Sequence, residues 1–411
     1  MTSPPALWRD PGFARLWAAQ AVSAFGARIT REGLPILAVT TLAAPPLALG
    51  ALSAMAGAAA LVLGFAAGGF VDSRPRRPIL VWADLARLAA LVTVPIAAAL
   101  DLLSLPQVLI VAGLIAACSV VFEMASHAYL PGLVPAERLV EANSRLATTE
   151  SLAEIGGPAL AGLIFQVLAA PFALLFTSAT YGVSALFLGA IRGQEPPPEP
   201  HAHEAAGITQ GLRLAWDQPV VRPLLLMTMV QGLAGGVFGA LYVLYVLRTL
   251  ALPTSLMGLA IACGGVGALI GAWLGPALAR RMGMGPAIIV ALVAFALSAL
   301  AIALAPSDRT GATLVLMATQ IGGDAFGVAA MVLMTSLRQA LMPQAVLGRV
   351  SGAFQASAGG LMVLGALGGG WLGGEIGPRA AIALAAGGFC LMPLIGALSP
   401  LRRIGEPPVS A

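Results

Sequence analysis

Apolar residues run along this chain in blocks of about twenty, the length at which a helix crosses a bilayer, and short polar or proline-rich breaks separate the blocks. Strand-like alternation is absent, so the blocks do not read as a barrel. The pattern predicts twelve helices, roughly over 14–42, 47–71, 78–100, 106–128, 142–168, 171–190, 222–247, 254–279, 284–305, 312–335, 349–374 and 378–398. The first run is unusual. It contains "GARITREGLP", Gly26 to Pro35, which puts Arg28, Arg31 and Glu32 amid apolar sequence.

Composition sharpens this picture. Of 411 residues, 59% are hydrophobic and only 10% are charged, against about 25% charged in a soluble domain. So few charges cannot cover a soluble surface, and the chain reads as an all-α, multi-pass membrane protein embedded in a lipid bilayer. The 22 basic residues are all arginine. With the N-terminus in the cytoplasm, sixteen arginines fall on that side and only Arg248, Arg309 and Arg379 fall outside; Arg28, Arg31 and Arg87 lie within spans. This positive-inside bias predicts that both termini are cytoplasmic. It also accounts for the net charge of +4 without a nucleic-acid partner. The start, "MTSPPALWRDPGFARLW", has no short apolar core followed by a cleavage site, so it reads as a tail entering a retained first helix. Cys118, Cys263 and Cys390 fall in apolar runs and offer neither a disulfide framework nor a metal spacing. No cofactor or metal is expected.

Two features organise the chain. The segment 192–222 is polar and proline-rich, and divides the spans six and six. The expected domains are 1–191, an N-terminal six-helix bundle; 192–222, a cytoplasmic linker; and 223–411, a C-terminal six-helix bundle. His201 and His203 in the linker lack a fixed third ligand and read as incidental. "GITQGLRLAWDQP" within it reads as a short helix on the membrane surface. The second feature is a repeat. Ala60, Gly64 and Gly68 correspond to Gly267, Gly271 and Gly275. "LVPAERLVEANS" corresponds to "LMPQAVLGRVSG", and Gly157 and Gly162 to Gly365 and Gly370, all at nearly one offset. A duplicated six-helix unit follows, an arrangement suited to alternating access around a midplane site. "GGGWLG" at 368–373 formally matches a dinucleotide fingerprint but follows no strand, so its glycines read as helix-packing positions.

"GGFVDSRPRRP", 68–78, joins spans two and three. Its Gly68, Asp72, Arg76 and Arg77 resemble the cytoplasmic signature loop of the major facilitator superfamily, with Ser73 and Pro75 departing from the usual residues. "FARLWAAQAVSAFGARITREGLP", "VWADLARLAAL", "YLPGLVPAERLVEANSRLATTESLAEIGGPALAGL" and "RQALMPQAVLGRVSG" are similar to the branch holding enterobactin exporters and macrolide-efflux proteins. The resemblance implies the major facilitator fold, two pseudo-symmetric six-helix bundles with spans one, four, seven and ten lining a cavity. It further implies a bacterial inner-membrane secondary exporter of small organic molecules, usually proton-driven. The chain is expected to act as a monomer.

Charges inside spans are costly and default to functional candidates. Asp84 and Arg87 are one turn apart on span three and are expected as an ion pair near the cytoplasmic end. Glu150 and Glu154 are expected toward the cytoplasm too, one of them pairing with Arg145 or Arg87. With Gly68, Asp72, Arg76 and Arg77, the residues Asp84, Arg87 and Glu154 form the expected conformational latch. Arg28, Arg31, Glu32, Glu123, His127, Gln231, Gln320 and Asp324 are the expected substrate and proton pathway. Arg28 and Glu32 are four apart and can pair on one helical face. Arginine does not release a proton in practice, so a carboxylate or His127 must carry it. Asp324, with no cation within four residues, is the first choice and Glu123 the second. A facilitated uptake carrier of the same fold, or a non-transporting scaffold or sensor, would share these features. No nucleophile–base set suggests an enzyme.

Overall fold

The computed structural model describes residues 7, 10–135, 138–191 and 208–405; the side chains of residues 64–69, 72 and 345 lie outside that description. His201 and His203 lie outside the described residues, as does most of the expected linker. Among the described residues all regular structure is helical: α1 (Pro11–Thr40), α2 (Pro46–Asp72), α3 (Arg76–Ala99), α4 (Leu105–Leu133), α5 (Leu139–Val167), α6 (Ala170–Gly189), α7 (Ile208–Asp217), α8 (Val221–Leu244), α9 (Thr254–Met282), α10 (Met284–Ala303), α11 (Arg309–Leu341), α12 (Gln344–Glu375), α13 (Pro378–Phe389) and α14 (Leu391–Leu398). A single π turn, Tyr245–Thr249, extends α8. Leaving out the short α7 and counting α13 with α14 as one crossing gives the twelve expected spans. Ten of them are long and apolar enough to cross a membrane by composition alone among the described residues. The other two are α1 and α5, whose central charges lower their hydropathy.

Several helices overrun the apolar runs. α11 begins at Arg309 and ends at Leu341, and α12 begins at Gln344. Hydropathy marks where a helix leaves hydrocarbon, whereas hydrogen bonding and caps decide where it stops. Asp10 opens α1 by accepting from the backbone N–H of Gly12 at 2.8 Å, with Pro11 pre-set for the first turn. Asp308 opens α11 likewise, accepting from Gly311 N at 2.7 Å. Between α9 and α10, Gly283 has φ +86°, a conformation that favours glycine, and the first N–H groups of α10 donate to Gly405 O and Ile404 O. The segment expected to be a surface helix is helical, as α7.

The chain forms two compact units, one of 1–43 and 59–203, the other of 44–58 and 204–411. In the first, α1 packs on α5 and α6, and α3 on α4 and α6. In the second, α8 packs on α12 and on α13 and α14, and α10 on α11 and on the α13–α14 span. The same pairings thus recur, as a duplicated unit requires. The repeat extends to single contacts. Gly157 of α5 lies against the Arg28 stem on α1, and its counterpart Gly365 of α12 lies against the Leu233 backbone on α8. Gly267, Gly271 and Gly275 of α9 each face a backbone carbonyl of α11, at Ile321, Ala325 and Ala329. Packing here rests on small residues that let backbones approach. Large apolar side chains point outward instead, among them Trp82, Trp273 and Leu186, as a lipid-facing surface allows.

Candidate functional site

A charge cluster joins α1 to α5 in the first unit. Gly157 has no side chain where α5 meets Arg28, so the arginine stem lies directly on α5 and its guanidinium reaches the acids there. Arg28 Nη2 is 2.5 Å from Glu154 Oε2 and 3.6 Å from Glu150 Oε1. Arg31 donates to the other Glu154 oxygen, Oε1, at 3.1 Å and to Glu32 Oε1 at 3.1 Å. Glu154 is therefore shared by two arginines. Two positive and three negative side chains leave the cluster one negative charge in excess.

This geometry corrects two expectations. Arg28 is paired with α5 rather than with Glu32, and Glu32 is held by its neighbour Arg31. Glu154 is paired with Arg28 and Arg31, not with Arg145 or Arg87. Arg145 is taken by Glu141 at 2.7 Å, and Arg87 by Asp84. The groups of the cluster lie well inside their helices. Glu154 is the sixteenth residue of α5, about 22 Å along it, and Arg28 is about 26 Å along α1. Yet the Glu154 and Glu150 side chains are 41% and 66% exposed. Exposed carboxylates well inside two long, largely apolar helices are default candidates for a functional site.

Two further polar contacts align with this cluster. Gln20 on α1 donates to Ser126 on α4, and Trp17 Nε1 donates to Thr149 on α5 at 2.9 Å. Gln20, Arg28 and Arg31 follow one another at +8 and +11, so they share a helical face. Gln20 is not among the residues expected from the sequence, although its spacing to Arg28 carried the signal. Glu123 and His127 on α4 are both exposed.

The Asp84–Arg87 pair forms as expected on α3, and it is buried. Its side chains are 0% and 2% exposed. The Arg87 guanidinium lies 4.4 Å from the Phe122 ring centroid and 4.5 Å from that of Tyr181. Ser23 donates to Asp84 at 3.4 Å. Such a charge is tolerable in a core because it is paired and covered by ring faces. At the α2–α3 turn, the Gly68 environment and the Asp72 side chain lie outside the described residues. Arg76 opens α3. Arg77 donates to Leu188 O at 3.0 Å and to Gly189 O, capping the α6 C-terminus.

In the second unit, Asp324 lies midway along α11 with its carboxylate directly on Gly264 of α9, and the Gln320 amide adjoins the same place. A side chain at position 264 would displace Asp324 Oδ2. Gln231 on α8 is exposed.

The family model described as Major Facilitator Superfamily matches residues 16–366. A curated relative, the multidrug efflux pump Tap of Mycolicibacterium fortuitum, is 28% identical over 330 residues, 76% of this chain and 79% of Tap. Among solved structures, a bacterial homologue of the iron transporter ferroportin in an inward-facing state aligns with TM-score 0.74 at 17% identity, covering 96% of this chain and 99% of the homologue. The nucleoside transporter NupG aligns with TM-score 0.75 at 13% identity, covering 93% of this chain and 98% of NupG.

Proposed function

Because the chain belongs to the major facilitator superfamily and is thus a multi-pass membrane transporter of a small molecule, we propose that it is a proton-coupled exporter of a hydrophobic or amphipathic compound. It would work as a monomer in a bacterial plasma membrane with both termini cytoplasmic. The observation that carries this reading is the open charge cluster on α1 and α5. A pair that only fixed packing would be covered, as Asp84 and Arg87 are. Arg28, Arg31 and Glu154 instead lie well inside α1 and α5 with side chains 24%, 49% and 41% exposed. The similarity to Tap supports export of a drug-like compound.

In this reading the excess negative charge of the cluster receives a polar group of the substrate, while the apolar walls of the spans receive its body. Asp324 carries the proton. Its seat on Gly264 ties it to the α9–α11 contact, so a change in its charge alters the packing of two spans. Asp324→Asn tests this. The amide imitates only the protonated acid, so substrate binding should persist while efflux driven by a pH gradient in reconstituted vesicles disappears. Coupled transport at the wild-type rate would clear Asp324 of the role.

A further inference from the structure

A second concave surface lies in the first unit, away from the charge cluster. Residues of α2, α3, α4 and the α2–α3 turn line an open trough of about 520 Å³. Leu63, Phe70, Trp82, Cys118 and Val121 are among its walls, and Arg74 is the single charged residue lining it among the described residues. Arg74 belongs to the turn between α2 and α3, so the charge stands at one end of an apolar trough. Its guanidinium lies 4.0 Å from the Phe70 ring centroid. It has no carboxylate partner among the described residues. Nearby Arg77 is already committed to the α6 carbonyls. Trp82, 70% exposed, and Phe70, 47% exposed, form the outer lip.

We propose that this trough binds an anionic phospholipid, with one acyl chain along Trp82 and Cys118 and the phosphate on Arg74. Three observations converge on that occupant. The walls are apolar along their length, as an acyl chain requires. Among the described residues, a single cation without a carboxylate partner stands where the trough ends at the turn, as an anionic headgroup requires. Exposed aromatic side chains at the rim suit the level where headgroup meets hydrocarbon. Basic pockets between spans are general recognition sites for anionic lipid headgroups. The occupant is also always present, because the surrounding bilayer supplies it. An exposed arginine near a membrane surface is worth about 1 kcal/mol toward anionic lipid, which corresponds to roughly a fivefold preference over a zwitterionic lipid.

The test uses the whole protein in nanodiscs titrated over the same range of fractions with brominated phosphatidylglycerol or brominated phosphatidylcholine. Bromine quenches tryptophan on contact, and the Trp82 share is the difference between wild type and Trp82→Phe. The proposal expects the Trp82 share to respond to the brominated phosphatidylglycerol at about one-fifth the concentration needed for phosphatidylcholine. Arg74→Gln should remove that preference, and Arg74→Lys should keep it. Equal quenching by both lipids in wild type would reduce the trough to ordinary lipid contact and overturn the proposal. A preference that survives Arg74→Gln would overturn the headgroup assignment. Displacement by an exported compound but not by unbrominated phosphatidylglycerol would assign the trough to transport instead. Nanodiscs present both leaflets and need no transport, so failure here is separate from failure of the exporter reading.

Discussion

Replacing Glu154 with glutamine strikes the charge cluster at its shared member, because both oxygens of this carboxylate hold an arginine. Exposed ion pairs contribute about 0.2–1 kcal/mol, whereas removing one partner of a buried pair costs about 3–5 kcal/mol. Arg28 and Glu154, at 24% and 41% exposure, stand between those limits. The expected cost of Glu154→Gln is therefore about 1–3 kcal/mol. Glu32→Gln should cost less, about 1 kcal/mol or below, because Arg31 keeps its contact with Glu154. In a chain of this length each kcal/mol moves Tm by about 2 °C or less. Thermal unfolding of purified protein should thus rank Glu154→Gln below Glu32→Gln by a resolvable margin. A double-mutant cycle with Arg28→Gln isolates the pair and should give a coupling of about 1–2 kcal/mol. The same double mutant, though folded, should fail to export. Additive single effects would refute the pairing. Wild-type export by the double mutant would leave the pairing intact and refute its role in transport.

Asp84→Asn leaves Arg87 buried without its counter-charge and should cost about 3–5 kcal/mol, seen as lost expression, while Asp84→Leu with Arg87→Leu should recover most of it; equal expression of all three would contradict the burial argument. Gly271→Val would drive a side chain into the Ala325 carbonyl on α11 and should lower Tm sharply. Gly374→Ala meets nothing within 4 Å and should be neutral or stabilising by up to about 1 kcal/mol. Comparable losses from both would show that α9–α11 contact is not what the glycines serve. Single cysteines at Ser104 and Ser307, with native cysteines removed, should react with an impermeant maleimide in intact cells while one at Ser73 should not; labelling at Ser73 would invert the topology.

The spans were legible because burial in lipid leaves a long apolar run that no other element needs. α1 and α5 were the weakest by hydropathy, for the reason that makes them interesting: they carry the charges. The Asp84–Arg87 pair was legible because both residues lie on one turn of one helix. The partner of Arg28 was not. Glu154 is 126 positions away, and only the packing of α5 on α1, set by the missing side chain of Gly157, brings it within reach. Local spacing favoured Glu32 because it registers neighbours on one helix and nothing across helices. Gln20 carries no charge, so its register with Arg28 does not by itself single it out.

Transport itself is the most direct test of the central claim. Purified protein in proteoliposomes, given an amphipathic fluorescent compound first identified as a ligand by thermal shift, is exposed to an imposed pH gradient with an acidic lumen. The account predicts accumulation of the compound in the lumen by molecules whose cytoplasmic face points outward, abolished when the gradient is collapsed and absent with Asp324→Asn. Accumulation that ignores the gradient would contradict proton coupling. A verified ligand that never crosses the bilayer under any gradient would contradict the assignment of this chain as an exporter.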